Sequence, residues 1–273
     1  MNKVEDIYIA YKLSIGIELF LDCFYRYCNK NTSFFIVSKT HAEKYKAEYI
    51  CKGGGSKQMA IDTINPINLF RFIKIIRLCK PRRVHFLGPH SFNTISCFIL
   101  RLFFSDIKII SIVHDSKAHS SVGYKRIFFI FQYFQLMFTD HVILLSEYVK
   151  KEVSRIYPVK GKKINAILIP LTRESSPKNN FTQKKIYVSF IGRLEGYQGI
   201  DTFLKIAKNY YQKDSPLRFF LGGAGNIENI VDINNIPKNV DFRNEFIPNE
   251  EMDDILQKSF CMLLPYKDAT QSG

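Results

Sequence analysis

The chain has 273 residues, of which 46% are hydrophobic, including 24 Phe and 15 Tyr, and a formal net charge of +14; that length admits two domains, and the apolar content excludes a disordered polymer. The positive charge favours an anionic partner: nucleic acid, an anionic membrane face or a phosphorylated small molecule. Its basic residues fall in short pairs such as Arg82-Arg83, Lys150-Lys151, Lys162-Lys163 and Lys184-Lys185, which read as solvated faces, and no zinc-finger or RRM motif accompanies them, so no nucleic-acid partner is expected.

In chain order, apolar runs of strand length alternate with stretches of helical period, the pattern of parallel sheets covered by helices. Strands are expected at 7–10, 34–37, 84–87, 108–113 and 141–145, with crossover helices at 17–27, 66–79, 92–103 and 124–138. The triple glycine Gly53-Gly54-Gly55 lacks a following Gly-Lys-Ser/Thr and reads as a loop beside a poorly patterned stretch. The most apolar window, Ile127 to Phe138, falls short of the roughly 20 residues a spanning helix needs. It reads as a buried core helix or, because Lys125 and Arg126 precede it, as a helix lying at a membrane surface.

After Ile169 the pattern breaks into polar, turn-prone residues, so we place a first domain at 1–169, a linker at 170–184 and a second domain at 185–273. The alternation then restarts, with strands at 186–191, 218–221, 240–242 and 261–264 and helices at 200–211, 227–230 and 249–257, the last capped by Asn249. The six Cys have no CxxC spacing and no signal-peptide order opens the chain, which points to reduced thiols in a cytoplasmic protein, peripheral at most on the inner membrane face.

Chemistry concentrates where a strand passes into a helix at Ile191-Gly192-Arg193-Leu194-Glu195-Gly196-Tyr197-Gln198-Gly199-Ile200-Asp201. Backbone N–H groups at such a junction, with a glycine that permits close approach and an arginine that offers a planar fork, suit a phosphate. The same segment, with Leu221-Gly222-Gly223-Ala224-Gly225 and Pro265-Tyr266-Lys267-Asp268-Ala269-Thr270-Gln271-Ser272-Gly273, resembles the retaining glycosyltransferases of family 4. A strand ending in Ile112-Val113-His114-Asp115, followed by His119, and the segment Val84 to His90 extend the resemblance into the first domain.

The resemblance implies an α/β protein of GT-B-like fold, two Rossmann-like domains facing a cleft, with the second incomplete because the family continues beyond a segment like Ser272-Gly273. It implies transfer of a sugar from a nucleoside diphosphate sugar to a hydroxyl acceptor, without an essential metal or separate cofactor. Arg193 would clamp the diphosphate beside Gly192, Gly223 and Gly225, and Gln198 occupies the place of a lysine. His114 and Asp115 would meet the transferred sugar and form the catalytic set with Asp268, which occupies the place of the first of the family's paired glutamates, and the amides of Gln271, Ser272 and Gly273 would lie at the sugar hydroxyls. His90 and His119 would lie on the acceptor side, toward a lipid-linked saccharide of bacterial surface polysaccharide synthesis. The alternative is a non-catalytic remnant that acts as a membrane or partner docking module.

Overall fold

The computed structural model describes residues 4–13, 15–113, 125–159, 161–167, 184–213 and 215–267. The described residues up to 167 form one compact unit and those from 184 another. The first unit runs β1 (Asp6–Ala10), α1 (Ile15–Tyr27), β2 (Ser33–Val37), β3 (Glu48–Tyr49), α2 (Ser56–Ile64), α3 (Pro66–Cys79), β4 (Arg83–Leu87), α4 (Ser91–Phe103), β5 (Lys108–Val113), α5 (Lys125–Phe138), β6 (His141–Leu144), α6 (Glu147–Ile156) and β7 (Lys163–Ala166). Its seven strands are all parallel, in the order β3-β2-β1-β4-β5-β6-β7.

Parallel strands covered on both faces must be apolar on both faces, and all five residues of β1 are buried. Ile7 and Ile9 turn to the side of α3 and α4, where Phe72, Ile76, Phe92 and Leu100 close the core. Tyr8 and Ala10 turn to the other side, against Ile17, Phe20 and Leu21 of α1. Two sheet neighbours are also tied electrostatically: Arg83 Nε and His85 Nε2, both on β4, donate to Asp6 Oδ1 of β1 at 2.6 and 2.8 Å. Burial alone would raise the Asp6 carboxyl, but the hydrogen bonds from Arg83 and His85 hold it well below the usual carboxylate range.

Local chemistry sets the helix ends. Asn65 accepts the Ile67 N–H and Pro66 takes the first helical position of α3, which stops at Lys80 in the left-handed region. Ser146 accepts the Val149 N–H and starts α6. The structure adds α2, β3, α6 and β7 to the elements expected from sequence. Of these, β3 has two residues, while α6 is half charged and buries Val149 and Val153.

The second unit runs β8 (Tyr187–Ile191), α7 (Ile200–Gln212), β9 (Arg218–Gly222), β10 (Val240–Arg243), α8 (Asn249–Gln257) and β11 (Ser259–Met262), and its parallel strands lie in the order β10-β9-β8-β11. Phe190, Phe203, Phe219 and Leu221 form its core. Three expectations are corrected. Residues 227–229 form a single 3-10 turn in place of a helix, and Pro248 rather than Asn249 stands at the cap of α8. The last strand starts at Ser259, because an irregularity between Ser259 and Cys261 lets Ser259 join the ladder. All six cysteines are free thiols.

Candidate functional site

In the second unit the chain builds β8, β9 and β10 outward and then returns to the far side of β8 with β11. Where strand connections diverge in this way, the carboxyl ends of the strands leave a crevice suited to a ligand. Three segments meet there. One leaves β8 as Gly192-Arg193-Leu194 and passes through a 3-10 turn at Gly196–Gln198 into α7. A second leaves β9 as Gly223-Ala224-Gly225, and the third leaves β11 as 263–267.

Backbone bonds lace these segments together. The Gly192 N–H donates to Gly222 O at 3.0 Å, and the Leu194 N–H donates to Ala224 O at 3.1 Å. Leu263 and Lys267 donate their N–H groups to Ser189 O and Tyr197 O, each at 2.8 Å. The approach is so close that side chains would block it. A Cβ on Gly223, whose φ is +147°, would lie 1.7 Å from Gly192 O, and one on Gly225 would lie 2.1 Å from Leu194 O. Glycine at 223 and 225 is thus what lets the β9 loop press against the loop that carries Arg193.

Arg193 is exposed, and no acidic side chain pairs with it among the described residues, which leaves its guanidinium fork for an anion. Gln198 is buried: its Oε1 accepts the Glu195 N–H at 3.4 Å, and the Gln198 N–H returns a bond to Glu195, a reciprocal cap on the turn. A lysine has no acceptor and could not complete that cap. The Gln198 amide nitrogen lies 3.7 Å from the position a Gly192 Cβ would take, so it faces the loop that carries Arg193. Sequence reasoning missed Glu195, although its three-residue spacing to Gln198 is a capping signal. It also missed the ion pair of Lys267 Nζ with Asp201 Oδ1 at 2.6 Å, which pins the third segment to α7. The hydrogen bond from Lys267 draws the Asp201 carboxyl below its ordinary range.

The first unit repeats the plan. Its order changes direction between β1 and β4, and His90 stands just past β4 at that point. It is 6% exposed. His90 Nδ1 accepts the Phe92 N–H at 3.1 Å and caps α4, while Nε2 is enclosed without a hydrogen-bond partner. Burial lowers its pKa from 6.5 to about 4, against a smaller upward pull from the Asp62 carboxylate and with a still smaller downward push from Lys12.

Cys51, Asp62 and His90 bring one sulfur, one carboxylate and one imidazole to within 4.8 Å of one another. The donor types suit zinc, but the hydrogen bonds do not. A ligating histidine normally donates through its second nitrogen, whereas Nδ1 here accepts, so Nε2 must keep its proton. Asp62 is also engaged, taking the Gly53 N–H and the Gln58 amide at 3.1 and 2.9 Å. The cluster is a packed polar corner and does not fit a metal.

His114 and Asp115 follow β5 directly in sequence. They lie outside the described residues, as do His119, Asp268, Gln271, Ser272 and Gly273.

Residues 14–168 match the model of Glycosyltransferase Family 4. No curated protein matches the chain. Among solved structures, HepE of Anabaena in complex with UDP is 12% identical, with a TM-score of 0.66 over 97% of this chain and 75% of that one. Sucrose-phosphate synthase from Thermosynechococcus elongatus is 12% identical, with a TM-score of 0.68 over 96% and 76% of the two chains. UDP-N-acetylglucosamine 2-epimerase from Rickettsia bellii is 11% identical, with a TM-score of 0.56 over 95% and 73%. These likenesses establish a GT-B fold, as the sequence motifs implied.

Proposed function

The chain belongs to glycosyltransferase family 4, and from that premise we propose that it moves a glycosyl group from a nucleoside diphosphate sugar to a hydroxyl acceptor, with retention at the anomeric carbon. The observation that carries the reading is the convergence of three loops at the carboxyl edge of the second sheet, with the unpaired Arg193 on the first of them. In the reaction, the bond from the anomeric carbon to the diphosphate breaks, the acceptor oxygen bonds to that carbon, and the hydroxyl proton is released. Negative charge grows on the departing diphosphate, and a fixed cation beside it lowers the barrier. Arg193 supplies that cation.

Gly199, at the start of α7, offers no side-chain cap, and in this reading the positive end of that helix meets a phosphate oxygen. We assign His114 and Asp115 to the transferred sugar, Asp268 and the amides of Gln271, Ser272 and Gly273 to its hydroxyls, and His119 to the acceptor side. The acceptor in this reading is a lipid-linked saccharide of bacterial surface polysaccharide synthesis, a choice favoured by the basic and apolar helices of the first unit.

Calorimetric titration of the purified chain with UDP-glucose, UDP-N-acetylglucosamine, GDP-mannose and their free diphosphates tests the donor reading. Binding of at least one nucleotide sugar is expected, and absence of binding to all of them overturns it. The epimerase likeness raises a second reading of the same edge. An epimerase would convert the bound sugar without any acceptor, so product analysis with and without a hydroxyl acceptor separates the two.

A further inference from the structure

We propose that the outer face of α3, α4 and α5 docks on an anionic lipid bilayer. These helices pack side by side over one face of the first sheet. Phe72 of α3 meets Phe92 of α4 at 6.4 Å, and Phe98 of α4 meets Phe138 of α5 at 5.5 Å. The Thr94 hydroxyl of α4 also donates to Phe131 O of α5 at 2.8 Å.

Each helix buries one stripe and leaves a second apolar stripe in water. On α3, Phe70 is 70% exposed, and Ile67 and Leu78 share its side. On α4 the exposed residues are Phe98, Leu102 and Phe103. On α5 they include Ile127, Ile130, Phe134 and Met137, which recur at helical spacing. A monomer in water seldom leaves so many large apolar side chains together on one face.

Charge identifies what covers them. The three helices carry six basic residues, Arg71, Lys74, Arg77, Arg101, Lys125 and Arg126, and no Asp or Glu; Arg101 is already paired with Asp140, which leaves the other five for the rim. Every other α-helix contains acidic residues: α1, α2, α6, α7 and α8. Among the described residues, Lys74 and Arg77 form no ion pair. A second copy of the chain would bring the same cations against this face and be repelled. A nucleic acid would satisfy the cations and leave the Phe and Ile side chains wet. An anionic bilayer meets both requirements, with lipid phosphates at the basic rim and acyl chains under the stripe. No helix among the described residues is long and apolar enough to cross a membrane, so the contact is with one leaflet.

The proposal stands apart from the donor site, and vesicle binding and nucleotide-sugar binding can fail separately. The chain has no Trp, so a single introduced tryptophan reports its own surroundings. Flotation of the full chain with vesicles of 70:30 phosphatidylcholine to phosphatidylglycerol should show binding, and vesicles of phosphatidylcholine alone should show far less. Phe134→Trp emission should shift to the blue with the anionic vesicles and be quenched by brominated acyl chains. Tyr27→Trp, on α1 across the sheet, should not respond. Should Phe134→Trp fail to fold, Phe70→Trp gives the same reading from α3. Replacing Arg71, Lys74 and Arg77 together by Gln should weaken partition about a hundredfold, with an unchanged urea midpoint showing that the fold is intact. Absence of flotation, an equal response from Tyr27→Trp, or dimerisation without lipid binding overturns the proposal.

Discussion

Gly223 has a task that only glycine can perform, because its Cβ would collide with the carbonyl of the residue before Arg193. Gly223→Ala should therefore cost more than about 2 kcal/mol in urea unfolding, and nucleotide-sugar affinity should fall with it as the Arg193 loop is displaced. Arg193→Ala should behave in the opposite way. Its side chain is exposed, so stability should stay within about 0.5 kcal/mol of the parent, while affinity for the nucleotide sugar drops at least tenfold, or roughly 1.5 kcal/mol, as a charge-assisted contact is lost. His90 provides a pH test. Its folded pKa lies near 4, against 6.5 when free, so the unfolded chain takes up the proton first as pH falls. Stability should be level above 6.5 and decline by about 3 kcal/mol as the pH approaches 4. His90→Asn keeps an acceptor for the α4 cap and should flatten that decline in urea titrations at a series of pH values. Asp6, with its lowered carboxyl pKa, adds its own loss only below 3.8. Among the basic pairs, sequence left each residue as a solvated charge. The fold gives Arg83 to Asp6 and Lys162 to the carbonyls of Met137 and Thr139, at 3.1 and 2.5 Å, at the end of α5.

Elements were legible where their burial was large. The strands at 84–87 and 108–113 and the helix at 66–79 appear as expected, since long apolar runs and an Asn-Pro start leave few alternatives. By contrast, α6 was hidden because half of its ten residues are charged and it buries only two valines, and its start depends on a single cap. Ser146→Ala should cost about 1 kcal/mol and lower the melting temperature by a few degrees; no change would show that packing of Val149 and Val153 alone holds the helix. The helix α5 shows a different limit. Composition left it either a buried core helix or a helix near a membrane surface, and the structure buries Gln132, Gln135 and Leu136 while leaving Ile130 and Phe134 exposed to solvent. Gln135 and Thr139 are buried because they bond Ser111 on β5, a pairing no local window reveals.

At the scale of the whole molecule, each unit carries its own core, and among the described residues no cluster is shared between the two sheets. Residues 1–169 expressed alone should consequently unfold in one cooperative urea transition; a gradual loss of signal would show that the first unit depends on the rest of the chain. In the second unit β11 lies at the sheet edge with Phe260, Met262 and Leu264 exposed, the kind of edge that invites pairing between chains. The sequence by itself determined the parallel α/β class, the two-part organisation and the Gly-Arg and glycine-rich segments, because periodicity and strand-to-helix junctions are properties of neighbours along the chain. The tertiary structure alone decided that Gly223 and Gly225 serve the approach of two loops, that Gln198 completes a cap, that His90 is sealed and neutral, and that three helices share one basic, apolar face. Each of those depends on contacts or exposure set by residues far apart in sequence, which only the packed sheet and helices bring together.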